Sequence, residues 1–188
     1  MSKNFNKKHL LQMSTFQYPW ERRLYFVALL TDALKKKNIK PIIVGGNAVE
    51  FYTLGGYSTG DIDIISIGYE EIDAQLLSWG FKKFGRHWYH RELDIALECP
   101  ASILEGSYKK VREVIINSLS VFLIGIEDLI IDRLNAYAYH KSRDDGYWAR
   151  EMLIIHKKQI DWTYLEEEAR KESLSKPLSI AKDQRRKL

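Results

Sequence analysis

The stretch from Ile42 to Ile65, IIVGGNAVEFYTLGGYSTGDIDII, constrains the fold more than any other part of the chain. An apolar run breaks at Gly45-Gly46, passes through residues at helical spacing, and returns to an apolar run carrying Asp61 and Asp63. Strand side chains alternate between faces, so residues two apart share one. Asp61 and Asp63 are therefore predicted to project together, with Ile62 and Ile64 turned into the core. Two neighbouring carboxylates repel and resist joint ionisation. A divalent cation between them offsets that repulsion. Hard oxygen donors suit Mg²⁺, which takes one or two carboxylates and fills its shell with water and phosphate oxygens. The pattern points to a metal-dependent phosphoryl-transfer site. Solvated acids on an open sheet face are the competing reading, and the apolar character of the surrounding segment stands against it.

Around this stretch the spacing alternates between helix and strand. Residues 20–37 place Leu24, Phe26, Val27, Leu30, Ala33 and Leu34 on a helical stripe that ends at Asn38 and Pro41. A buried strand is predicted over 41–44, a short helix over 47–54, a strand over 61–67 and a helix over 69–79. Two antiparallel strands follow near 87–90 and 93–98, the second stopped by Pro100, and further strands near 111–116 and 120–124. From Ile126 the pattern is helical, over 126–141, 144–156 and 162–173, and Pro177 leads into a frayed basic tail. The expected fold is α/β (α+β): a mixed sheet flanked by helices, with a C-terminal helical cap. Residues 1–125 form the core and residues 126–188 the helical extension packed on it, as one structural unit.

Composition narrows the partners. Residues 1–23 and 176–188 each carry a net +4, which leaves −4 for residues 24–175 of a chain whose formal charge is +4. Basic ends around an acidic centre fit a protein that meets a polyanion at its edges and binds metal in the middle, or one with merely solvated tails. No apolar run approaches the roughly 20 residues of a membrane span. The N-terminus lacks the apolar core of a signal peptide, and the lone Cys99 fits a reducing cytoplasm as a structural residue.

Metal-assisted nucleotidyl transfer needs an unobstructed turn for the triphosphate, a carboxylate pair, and a third acid to complete the metal site or accept a proton. Gly45-Gly46 at the mouth of a helix offers the first, since helix N-terminal amides favour anions. Asp61 and Asp63 supply the second. Asp94 is expected to be the third, on a strand where Leu93, Ile95 and Leu97 alternate with Asp94, Ala96 and Glu98. Glu98 shares the face of Asp94 but sits next to Pro100, and is read as structural. His87 and His90 flank Trp88 and Tyr89 without metal-ligand spacing and are read as surface or stacking residues.

The Val-Gly-Gly turn, the short helix, Thr-Gly-Asp-Ile-Asp-Ile and the later Leu-Asp-Ile together resemble the DNA polymerase beta-type nucleotidyltransferase superfamily over about residues 40–165. The likeness is to its small stand-alone bacterial and archaeal branch, which includes toxin–antitoxin proteins. The resemblance implies that Gly45 and Gly46 face nucleotide phosphates, that Asp61, Asp63 and Asp94 hold Mg²⁺ (or Mn²⁺), and that a basic residue of the later helix steadies the triphosphate. Arg133, Lys141 and Arg143 compete for that role, with Arg133 preferred for its place in the regular part of the helix. It further implies an NTP as donor. The acceptor would be a hydroxyl of RNA, protein or a small molecule, with the basic termini favouring RNA. Gly46 stands where many active members have Ser. That departure leaves open a second reading, a non-catalytic binding module with a cognate antitoxin or other partner protein.

Overall fold

Seven strands of the computed structural model, which describes residues 7–183, form one sheet. In chain order they are β1 (Ile42–Val44), β2 (Asp61–Ile65), β3 (Lys82–Phe84), β4 (His87–His90), β5 (Ile95–Ala101), β6 (Arg112–Ile116) and β7 (Leu119–Leu123). Their spatial order is β3-β4-β5-β2-β1-β7-β6. The centre is mixed: β1 runs antiparallel to β2 but parallel to β7, and β2 runs parallel to β5. The two wings are the hairpins β3–β4 and β6–β7.

The period of two set by the sequence decides which face is covered. Ile43, Ile62, Ile64 and Leu97 are fully buried. Helix α2 (Pro19–Leu34), which follows the short α1 (Lys7–Met13), packs on β7 and on the helices α3 (Gly45–Tyr52) and α4 (Tyr69–Ser78). Its entry is fixed by Pro19 at the first turn and by Glu21, whose carboxylate accepts the Tyr18 N–H at 3.3 Å. Phe26, Val27 and Leu30 have no exposed surface, and burying each contributes roughly 1.5–3 kcal/mol. The other sheet face carries Val44, Asp63 and Ile65 and opens onto a cleft.

Four helices follow the sheet: α5 (Ile126–Tyr139), α6 (Arg143–Ile155), α7 (Trp162–Lys171) and α8 (Ser175–Lys182). They pack on one another, and α5 and α6 also touch α3. The Asp161 side chain caps α7 by accepting the Tyr164 N–H at 3.1 Å. Tyr52, buried at the end of α3, donates its hydroxyl to the Ile124 carbonyl at 2.8 Å. His156 Nε2 lies 2.7 Å from the Tyr52 carbonyl oxygen.

The predicted elements recur with shifted ends and three additions. Helix α3 starts at Gly45 rather than Asn47, and the edge strand β3 was not foreseen because all its residues are exposed. Pro177 does not end the chain's order but sits in the first turn of α8, where a missing N–H costs nothing. Strand β5 begins at Ile95 and runs through Pro100. Its register with β2 shifts between Asp63 and Ile65, and that irregularity accommodates the proline. The ends of both basic tails, residues 1–6 and 184–188, lie outside the described residues.

Candidate active site

The β1–α3 turn brings backbone against a carboxylate. Gly45 has φ +59°, and a Cβ built there would lie 2.6 Å from Asp63 Oδ2, so only glycine fits. A Cβ at Gly46 would sit 3.1 Å from the Tyr57 ring and from Thr59. The start of β2 is tied to α3 by a short relay: Arg23 Nε donates to Asn47 Oδ1 at 3.1 Å, and Asn47 Nδ2 donates to the Asp61 carbonyl at 2.5 Å. Arg23 also pairs with the buried Glu50. These contacts fix the spacing between the glycine turn and the acids.

Asp61 and Asp63 do share a face, as the alternation predicts. The third acid beside them is Glu98, paired with Asp63 across β2 and β5. One oxygen from each of Asp61, Asp63 and Glu98 lies within 4.8 Å of the others. Asp94 is not part of this group. It sits in the turn before β5 with φ 50°, exposed, and accepts a hydrogen bond from the Tyr89 hydroxyl at 3.4 Å. The Leu-Asp-Ile pattern reads as strand, but Asp tolerates the left-handed turn that residues 91–94 make. The signal for Glu98 was present in the alternation and was outweighed by the proline two residues on.

The electrostatics of the group fit a cation. Burial pushes the Asp63 carboxyl up to about 6, and the charges of Asp61 and Glu98 add to the rise, while Arg133 and His87 oppose it. Thr59 Oγ1 donates to Asp61 Oδ1 at 3.0 Å. Glu98 faces Arg86, whose Nε lies 2.5 Å from Oε1, and His87, whose Nδ1 lies 3.4 Å from Oε2. Three clustered carboxylates beside a side-chain-free turn are the donor set that a divalent ion of the Mg²⁺ kind takes.

Asp63 and Gly45 line a cleft of about 820 Å³ that runs to α5 and α7. Its far side carries Glu105, Asp128, Asp132, Glu168 and Glu172. Arg133 reaches the same cleft, yet its guanidinium is engaged: it donates to Asp132 from Nε at 3.0 Å and to Asp145 from Nη1 at 2.7 Å. Burial works against its charge, but Asp132 and Asp145 hold its pKa above the ordinary value. Lys141 and Arg143 are exposed on either side of Ser142 at the α5–α6 junction, and neither lines the cleft. Arg86, Thr59 and Asn47 were missed in the sequence because nothing in their spacing announces which carboxylate each will meet.

No family model matches the chain, and no curated protein matches it. Solved structures do. An antigenic nucleotidyltransferase-like protein from Paracoccidioides brasiliensis superposes with a TM-score of 0.54 at 19% identity, covering 82% of this chain and 91% of that one. The antibiotic-resistance factor ANT(2'')-Ia superposes in its solution structure with a TM-score of 0.52 at 16% identity, over 91% of this chain and 95% of its own. Its crystal structure in complex with adenylyl-2''-tobramycin gives 0.51 at 17%, over 84% and 97%. At these identities the likeness establishes architecture: the chain has the nucleotidyltransferase fold.

Proposed function

We propose that the protein is a Mg²⁺-dependent nucleotidyltransferase that moves an NMP from an NTP to a hydroxyl of an amine-bearing small molecule. The carrying observation is the trio Asp61, Asp63 and Glu98, gathered within 4.8 Å, with Asp63 beside Gly45 on the wall of the cleft. The three carboxylates would hold the metal, which when bound screens the phosphate charge and polarises the α-phosphoryl group. The acceptor oxygen attacks the α-phosphorus, the bond to the bridging oxygen of the β-phosphate breaks, and pyrophosphate leaves. Glu98 would complete the metal site or take the hydroxyl proton, the two roles expected of Asp94 from the sequence.

The acceptor reading rests on the far side of the cleft. Five acidic side chains line it; among the described residues Asp132 pairs with Arg133, Glu168 with Lys171, and Asp128 is hydrogen-bonded by Ser107 and Tyr164, which leaves the carboxylates of Glu105 and Glu172 for a ligand. Such a surface repels a polyanion and attracts ammonium groups, which turns the reading from RNA toward a polycationic alcohol. One structural neighbour, ANT(2'')-Ia, was solved in complex with adenylyl-2''-tobramycin, which fits a small-molecule acceptor.

Calorimetry with Mn²⁺ and each of the four NTPs tests the donor site. The expected result is metal-dependent binding of nucleotide that an Asp61→Asn/Asp63→Asn variant loses. Labelled NTP offered with amino-alcohols, amino-sugars or RNA then tests the acceptor. Transfer to RNA alone would sink the small-molecule reading, and no nucleotide binding by the wild type would sink the enzyme in favour of a binding module.

A further inference from the structure

Among the described residues, Glu98 is the acid of the trio that makes an ion-pair contact. Arg86 stands at the tip of the β3–β4 hairpin, with its side chain 66% exposed, and reaches inward to a carboxylate that is only 10% exposed. His87, the next residue, faces the other oxygen of the same carboxylate. Both Glu98 oxygens are thus engaged from the hairpin, although this carboxylate also belongs to the group that fits a divalent ion. A cation entering between Asp61, Asp63 and Glu98 competes with the guanidinium for one acid.

The hairpin leaves the arginine room to move. It turns through Gly85 at φ +62°, where a Cβ would meet nothing within 4 Å, and its neighbour Phe84 is exposed. A guanidinium displaced from a carboxylate beside a phosphate site has an obvious second partner, because its planar fork matches phosphate as well as it matches carboxylate. Arg133, the arginine that lines the cleft, is held by two carboxylates.

Resting on the nucleotidyltransferase reading, we propose that Arg86 is a triphosphate-binding residue stored on Glu98. It balances the charge of Glu98 before metal binds, yields that carboxylate to the metal, and passes to the phosphates of the incoming nucleotide. The residue thereby links metal loading to nucleotide capture, and its removal has effects of opposite sign on the two.

The experiment measures Mn²⁺ alone, and then a non-hydrolysable NTP analogue with Mn²⁺, on wild type, Arg86→Ala and Arg86→Lys. Arg86→Ala is expected to bind Mn²⁺ alone about twofold to fivefold more tightly, as loss of a competing exposed ion pair implies. The same variant should bind the analogue about tenfold more weakly, as loss of a charge-assisted fork implies. Arg86→Lys should keep near-wild-type Mn²⁺ affinity and still bind the analogue weakly. Mn²⁺ affinity that is unchanged or weaker in Arg86→Ala overturns the proposal, as does unchanged affinity for the analogue. A wild type that takes up Mn²⁺ but no nucleotide overturns the nucleotidyltransferase reading itself, and the Mn²⁺ arm separates that failure from a failure of Arg86.

Discussion

Acids gather at both ends of the cleft, and the protein treats them differently. At the α5–α7 end, Asp128 is 5% exposed and fully served: Ser107 N–H donates to one oxygen at 2.9 Å and the Tyr164 hydroxyl to the other at 2.6 Å. Its neighbour Glu127 accepts the Asp161 N–H at 2.8 Å. Burial raises the Asp128 carboxyl, and these hydrogen bonds work against the rise. At the β1–β2 end, Asp63 meets two further acids and, among the described residues, its carboxylate accepts no hydrogen bond. A buried carboxylate whose donors come from the chain is part of the scaffold. One whose neighbours are other carboxylates offers a donor set to a cation from outside.

Mutations at the two ends should therefore separate. The largest effect is expected for Asp61→Asn/Asp63→Asn, where metal-dependent nucleotide binding should fall more than about a hundredfold while the fold survives. Retained binding in a titration would dissolve the distinction between the ends. Gly45→Ala forces a methyl group to within 2.6 Å of Asp63 Oδ2 at a left-handed φ. It should weaken Mn²⁺ binding about tenfold and cost about 1–3 kcal/mol of stability, readable in a denaturant series.

Asp128→Ala is the converse test. It strands the Tyr164 hydroxyl and the Ser107 amide, and should cost about 1–3 kcal/mol while leaving Mn²⁺ affinity as in the wild type. The smallest effect is the pH dependence of the metal-free protein. The Asp63 carboxyl is raised to about 6 from 3.8, so its stabilising protonation is fully present below pH 3.8 and lost as pH rises through 6. Asp63→Asn should thus match the wild type in acid and melt about 2–4 °C higher at pH 7.5, on the order of 1 kcal/mol once solvent screening of this half-exposed group is allowed for. Equal melting temperatures across that range would show that Asp63 carries no repulsive load.

The end that carries Asp61 and Asp63 was largely legible in the sequence and the far end was not. Period-two alternation and paired glycines are local signals, so β1, α3, β2 and the shared face of Asp61 and Asp63 could be read from residues alone. Glu98 was read as structural because proline is a strong local stop, whereas its position beside Asp63 depends on the pairing of two strands distant in sequence. Arg133 looked available because its position on a helix says nothing of Asp145, which arrives from the next helix. The acidic lining of the cleft brings together residues from the 101–111 loop, α5 and α7 and its C-terminal cap, and no spacing along the chain encodes such a meeting.

Tyr52 has a consequence for what the cleft can accept. Its hydroxyl holds the residue that follows β7, and its carbonyl holds His156 at the end of α6. One residue thus links, through its hydroxyl and its main-chain carbonyl, the end of the sheet to the helices whose partners form the far side of the cleft. That tie joins the sheet that carries one group of acids to the helices that carry the other. Under the proposed transfer, a molecule that used both groups would be selected for the length between its reacting hydroxyl and its amines, and shorter or longer homologues would fall off in rate on either side of that length.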